Sequence, residues 1–391
     1  MKVTFFSNFL NHHQLPFCLA MDRLTKGNFT FVATTPVPAT RLNMGYHDMN
    51  KQYPFVLTTY DSAESEQLAQ MLAVKSDVII IGSAPEKYRN MRLKQNKLTF
   101  NYSERWYKQG LPFSKISRAF VSSLLHYGRW LGKPAYMLCA SAYTAADCAK
   151  FGNFLGRTYK WGYFPEVKTQ NVDALILQKR EKAKPVLLWA GRMLRWKHPE
   201  VAIYIAECLK KNDVDFELRI IGNGEMEQQL RTWIVEKQLG DCVHMLGAMP
   251  PEAVRNHMEA ADIFLFTSDF NEGWGAVLNE SMNSACAVVA SHAIGSVPFL
   301  LKDGENGFIY RNGDIDGLYN RVVKLIEHPE LREQMGRKAY RTLAEQWNAD
   351  VAAERFLALA QALLDGKSPD LFEEGPCSKA RILKNGWYKG K

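Results

Sequence analysis

The chain has 391 residues, 47% hydrophobic and 23% charged, with a formal net charge of +8, the make-up of a globular protein long enough to bury two cores. No stretch approaches the roughly 18 to 20 uninterrupted apolar residues of a membrane-spanning helix, and the opening MKVTFFSNFL runs into the polar NHHQ with no small-residue cleavage site of a leader. The seven cysteines, Cys18, Cys139, Cys148, Cys208, Cys242, Cys286 and Cys377, are odd in number and never spaced as CxxC, which points away from disulfides and zinc and toward a reducing cytoplasm.

Short β-rich apolar runs alternate with runs of helical period along the whole chain, the pattern of parallel sheets covered on both faces by helices. In the first half, strands are expected at Lys2 to Phe6, Phe29 to Ala33, Asp77 to Gly82, Lys97 to Asn101 and Ala135 to Ala140. The loop after the first of these carries His12 and His13, which either touch a ligand such as a phosphate or are polar helix-start residues without a role. Residues 87 to 133 hold eleven Lys or Arg against one acid, Glu104. They are interleaved with aromatics such as Trp106, Phe113 and Phe120, which suits either a solvated basic face or an anionic membrane surface. No recognised nucleic-acid module accompanies the charge.

Residues 166–184 are rich in polar and charged types and are read as a hinge linker between an N-terminal domain, 1–165, and a C-terminal domain, 185–348. The second half repeats the strand pattern at Pro185 to Ala190, Phe216 to Gly222, Cys242 to Leu246, Asp262 to Ser268, Ala287 to Ser291 and Gly307 to Tyr310. A last helix over 349–365 has a stripe at Ala352, Phe356, Leu359 and Leu363 that must bury against something. The basic tail, 366–391, is compatible with disorder or with strapping back on the body.

The segment SDFNEGWGAVLNESMN leads from a strand through glycines into a helix, and free N–H groups at such a start make a cradle for phosphate. Glu272 and Glu280 stand eight residues apart, about 12 Å along the axis if all of it is helical, a span comparable to that from a hexose across a diphosphate to a ribose. After the strand PVLLWA come Arg192 and Lys197, two cations at a strand's carboxyl end that suit a departing diphosphate. Asp213-Val214-Asp215 has the spelling of a metal-binding DxD, but it precedes a strand, at the wrong end of the sheet for a ligand, and reads as a turn.

The run Glu272, Gly273, Trp274, Gly275 and Glu280, followed by Asp303, Gly304 and Gly307, resembles the signature of family 4 retaining glycosyltransferases of the GT-B class. Gly191, Arg192 and Lys197, and then Gly222, Asn223 and Gly224, resemble two earlier motifs of that family. The resemblance covers about Pro185 to Asp365 and implies two doubly wound Rossmann-like domains facing across a cleft, acceptor in the first and donor in the second, with the last helix returning to the first. It implies catalytic roles for Arg192, Lys197 and Glu272, and donor binding by Gly191, Gly222, Asn223, Gly273, Trp274, Gly275, Ala276, Val277 and Glu280. Three departures stand out: the usual Gly-rich first loop is Ser7 to Gln14 here, Tyr102, Ser103 and Glu104 lie nearest to where many members have a histidine, and Ala285 and Ala287 replace a Gly and a Pro. His12, His13 and Glu104 are therefore the acceptor-side candidates.

The implied reaction is metal-independent and cofactor-free hexosyl transfer, with retention, from a nucleoside-diphosphate sugar to a sugar or lipid-linked sugar acceptor, in cell-surface polysaccharide or glycolipid synthesis. The place implied is the cytoplasm, at the inner membrane face. Two alternatives stay open: an epimerase acting on the sugar nucleotide on the same fold, and a non-catalytic sugar-nucleotide-binding protein.

Overall fold

The computed structural model describes residues 1–42 and 47–389. They divide into two units, Met1–Glu166 with Trp347–Lys384, and Val167–Gln346 with the chain end from Asn385. Among the described residues all seven cysteines are free, and no helix is long and apolar enough to cross a membrane.

The first unit is built on seven parallel strands: β1 (Val3–Ser7), β2 (Phe29–Ala33), β3 (Val56–Thr58), β4 (Val78–Ile81), β5 (Thr99–Ser103), β6 (Ala135–Cys139) and β7 (Thr158–Lys160). Their order is β3-β2-β1-β4-β5-β6-β7. The central pair reads VTFFS and VIII and is buried throughout, because helices cover both faces and no alternation with polar residues is needed. The strands not anticipated, β3 and β7, are three-residue pieces at the two edges, too short to leave a period in the sequence. The helix Ala349–Leu364 belongs to this unit and packs on the helix Leu15–Leu24. Its Phe356 ring lies 5.0 Å from Phe100, 5.9 Å from Trp161 and 6.3 Å from Phe17. The tail then runs along β7, with the Lys160 N–H donating to Ser378 O at 2.7 Å and the Ala380 N–H to Thr158 O at 3.0 Å. That covers a sheet edge which would otherwise offer unpaired backbone groups.

The second unit has six parallel strands: β8 (Val186–Ala190), β9 (Glu217–Ile221), β10 (Val243–Gly247), β11 (Ile263–Phe266), β12 (Ala287–Ser291) and β13 (Phe308–Tyr310), in the order β10-β9-β8-β11-β12-β13. From Val167 on, the stretch read as a hinge falls within this unit. Val172–Arg180 is a helix capped by Asn171, whose side chain accepts from the Asp173 and Ala174 N–H groups at 3.1 Å. It buries Leu175 and Ile176 against Ala285 and Tyr340. Its polar residues misled the linker reading because one of them, Lys179, is buried as an anchor: Nζ donates to Ser284 O at 2.8 Å and Ala285 O at 3.0 Å, bonds that carry its charge into the interior.

The basic stretch 87–133 does not form one surface. Arg92 is fully buried and donates to the carbonyls of Ser76, Asp77 and Leu98 at 2.7 to 2.8 Å, while Tyr88 and Trp130 are core residues. Outward-facing residues are concentrated from Phe113 onward.

Candidate active site

In the second unit the strand order reverses between β8 and β11, so the loops after them diverge and open a crevice at the carboxyl ends of the strands. The turn Gly191-Arg192-Met193 follows β8 and the turn Gly222-Asn223-Gly224 follows β9. They are joined directly: Gly191 N–H donates to Ile221 O at 3.0 Å and Met193 N–H to Asn223 O at 2.7 Å. Gly222 and Gly224 have φ of +127° and +153°; a β-carbon at Gly222 would run into the Gly191 carbonyl, and one at Gly224 would lie 2.7 Å from Met193 O. Glycine is required at both positions, because the turns touch through backbone alone. Arg192 is exposed and makes no ion pair among the described residues.

The loop after β11 is tied to the turn Arg195–Lys197. Thr267 Oγ1 accepts from Trp189 Nε1 at 2.9 Å and donates to Lys197 O at 2.7 Å, and Asp269 N–H donates to Trp196 O at 3.0 Å. These bonds bring Lys197 Nζ to 2.6 Å from Glu272 Oε2, which also accepts from Ser268 Oγ at 3.0 Å. The two charged side chains are only 13% and 11% exposed. His198 flanks them with Nδ1 2.7 Å from Glu200, and the bond to Glu200 raises its pKa despite burial.

Gly275, at φ +81°, passes so close to Phe266 that any β-carbon would strike the ring. Trp274 is fully buried and donates from Nε1 to Asn279 Oδ1 at 2.9 Å, so its ring holds the turn against the helix Val277–Asn283. Helix begins only at Val277, so Glu272 to Ala276 is a turn and the 12 Å axial span expected between the two glutamates does not apply. Ala276 is buried and Val277 half-buried. Glu280 lies in the first turn of that helix; burial pushes its carboxyl up to about 7, against the opposing pull of Arg255. Of the unit's two departures from the family, one has a local reason: the Ala287 N–H donates to Asp262 O at 2.9 Å, a bond that proline could not make, whereas Ala285 holds a left-handed φ of 51° that glycine takes more readily.

Beyond β12, the Gly295 N–H reaches Glu272 O at 3.3 Å. His292 accepts from Asn312 N–H at Nδ1, 2.9 Å, and has Nε2 3.1 Å from Asn385 O, and its ring meets Phe270 edge-on at 5.5 Å. The tail is fastened here by Tyr388, whose hydroxyl accepts from Arg321 at 2.9 Å and lies 2.6 Å from Ile309 O and 2.9 Å from Asp303 Oδ2. Asp213, at φ 54°, turns the chain into β9 at the opposite end of the sheet.

In the first unit His12 and His13 follow β1 and Glu104 follows β5. Tyr163 connects them, stacked on His13 at 5.6 Å and donating to Glu104 Oε1 at 2.6 Å, while Lys108 holds the other carboxylate oxygen at 3.0 Å. Sequence reasoning passed over Tyr163, Thr267 and Ser268. The last two carried a signal: a hydroxyl pair at the end of the buried run IFLF is polar where only a loop contact would require it.

Residues 175–342 match the family described as Glycosyl transferases group 1. The chain is 33% identical over 144 residues to the amylovoran biosynthesis glycosyltransferase AmsK of Erwinia amylovora, 36% of this chain and 35% of that one. It is 26% identical over 198 residues to the alpha-D-kanosaminyltransferase of Streptomyces kanamyceticus, 50% and 51% of the two chains. These matches span between about a third and a half of the relatives' own length. In fold the chain is similar to Anabaena HepE, solved in complex with UDP, with a TM-score of 0.68, 16% identity and coverage of 93% of this chain and 100% of that one. It is also similar to the sucrose-phosphate synthase of Thermosynechococcus elongatus, with a TM-score of 0.64, 15% identity and coverage of 93% and 99%. The match over residues 175–342 is thus to the group 1 glycosyl transferases, and the two parallel-sheet units are those of the GT-B fold.

Proposed function

We propose that this protein transfers a hexose, with retention, from a nucleoside-diphosphate sugar to a hydroxyl of a sugar or lipid-linked sugar, in polysaccharide or glycolipid synthesis at the cytoplasmic face of a membrane. The observation that carries the reading is the Lys197–Glu272 pair, 2.6 Å apart and mostly withdrawn from water where the loops after β8 and β11 meet. Glu272 Oε2 is occupied by Lys197 and Ser268, which leaves Oε1 to accept from a hydroxyl of the donor sugar. Bond cleavage puts positive charge on the sugar ring and negative charge on the leaving diphosphate. Lys197 and the exposed Arg192 meet that negative charge, and charges fixed beforehand stabilise it without reorganising. Glu280 takes the ribose. The turns at Gly191, Gly222, Asn223 and Gly273 to Val277 provide backbone close enough to line the diphosphate. His12, His13 and Glu104 stand on the acceptor side. No cofactor or metal enters this scheme, so EDTA leaves turnover unchanged.

The UDP complex of HepE makes UDP-sugars the first donors to try. UDP-, GDP- and ADP-sugars are screened by thermal shift, and release of the nucleoside diphosphate is then measured with candidate acceptors, alongside Arg192→Ala. A ligand at about 100 times its dissociation constant adds about 2.7 kcal/mol of stability. Binding without acceptor-dependent release would leave a sugar-nucleotide-binding protein, and isomerised donor without acceptor would mean an epimerase.

A further inference from the structure

The helix Ile116–His126 of the first unit is packed with its small side inward. Its one buried side chain is Ser123, which bonds to Asn153, while Ile116, Phe120, Val121, Leu124 and Leu125 are exposed, Leu125 to 61%. Ile116, Phe120 and Leu124 make one row four residues apart, and Val121 and Leu125 make the adjoining row, so the five share one side of the helix. Phe113, 92% exposed, precedes them and Leu131, 81% exposed, follows. A contiguous apolar face of this kind on a folded chain marks a surface that something covers.

The charge around it indicates what. From Arg105 to Lys133 there is no acidic residue, and among the described residues Lys115, Arg118, Arg129 and Lys133 make no ion pair. The carboxylate that meets this helix, Glu86, is already shared by His126 and Arg89, so a second copy meeting the face across a two-fold axis would set the same cations against each other with little acid to answer them. An anionic bilayer matches both features at once, and eleven helical residues are far too few to span one.

We propose that this face is an interfacial docking surface for anionic lipid. Phe113, Phe120, Leu124 and Leu125 enter the boundary between headgroups and acyl chains, and Lys115 and Arg118 lie at the lipid phosphates. Membrane-side action under the proposed function is thereby given a specific element. The inference deepens that reading, yet its measurement needs no donor, acceptor or turnover, so the two fail separately.

The test is cosedimentation of the full chain with vesicles of phosphatidylcholine alone and of phosphatidylcholine mixed with phosphatidylglycerol, at low and high salt. Binding is expected to the mixed vesicles at low salt, weak binding to the neutral ones, and release at high salt as screening shortens the field. Leu124→Ser with Leu125→Ser lowers binding about tenfold or more. Lys115→Glu with Arg118→Glu does at least as much. Circular dichroism and the melting temperature, expected to stay at the parent's values because all four side chains are exposed, check the fold of each variant. The proposal is overturned by absence of binding to mixed vesicles at low salt, by equal binding to neutral vesicles, or by folded variants that bind like the parent. A dimer that the Leu124 and Leu125 variant turns into a monomer overturns it in favour of a second copy.

Discussion

The helices Ile116–His126 and Ile315–Glu327 both carry large apolar residues at helical spacing, and they use them in opposite ways. The second is capped by Asp314, whose Oδ1 accepts from the Gly317 N–H at 2.9 Å, and it buries Leu318, Val322 and Leu325 against the sheet of its unit. The first has no side-chain cap and no acid in its first turn; it buries Ser123 and leaves its leucines in water. An apolar stripe therefore states that a helix face avoids water without stating what covers it. In the second unit the cover is the protein's own core.

The contrast is broken most directly by cutting side chains back on each helix. Leu325→Ala costs about 2 to 5 kcal/mol by removing transfer energy and leaving a cavity, whereas Leu125→Ala changes stability by no more than about 0.5 kcal/mol; urea denaturation of both checks it. A comparable loss from Leu125→Ala would mean that its face is packed in solution. The charges sharpen the comparison next. Lys197→Ala slows transfer roughly 100 to 1000-fold while the fold survives, and Lys115→Ala leaves transfer to a water-soluble acceptor at the parent rate.

A smaller effect separates a half-buried carboxyl, that of Glu280, from the exposed cations. The pKa of Glu280 is raised from 4.5 to about 7 in the folded chain. Its contribution to stability is thus complete below pH 4.5 and lost as pH rises through 7. Glu280→Gln should therefore unfold at a higher temperature than the parent above pH 7, with the difference vanishing toward pH 4.5. Nucleotide affinity should move the other way, falling in the parent as pH drops through 7 and staying weak and flat in the variant. Calorimetric titration with UDP across that range reads both arms against the melting curves, and a pH-independent parent would remove Glu280 from the ribose. Smallest is Ala285→Gly, which relieves a left-handed φ of 51° and gains about 1 kcal/mol, seen as a melting shift of about 2 to 4 °C.

Much of the fold and of the candidate site is legible in the residues themselves. Strands such as Ala287 to Ser291 announce themselves because a strand buried on both faces is a solid apolar run. Arg192, Lys197 and the glycine turns stand out because few residue types suit a phosphate at a strand's end, and Glu272 through the resemblance of its run to a family signature. The three-residue edges β3 and β7 are not legible, since so short a piece has no period. Nor is the role of residues 166–184, where Lys179 reads as a linker lysine and serves as a buried anchor.

The order of residues determined, on its own, most of the longer strands and helices and where glycine-rich turns follow strands, because those depend on local period and on backbone freedom. Which side chains meet was decided only by the tertiary structure. Lys197 and Glu272 are 75 residues apart in the chain and 2.6 Å apart in space; Trp274, which resembles a donor-side aromatic in sequence, is fully buried. A contact between distant residues depends on strand order, and strand order is set by how all the helices share two sheet faces, a property of the whole chain that no short window contains.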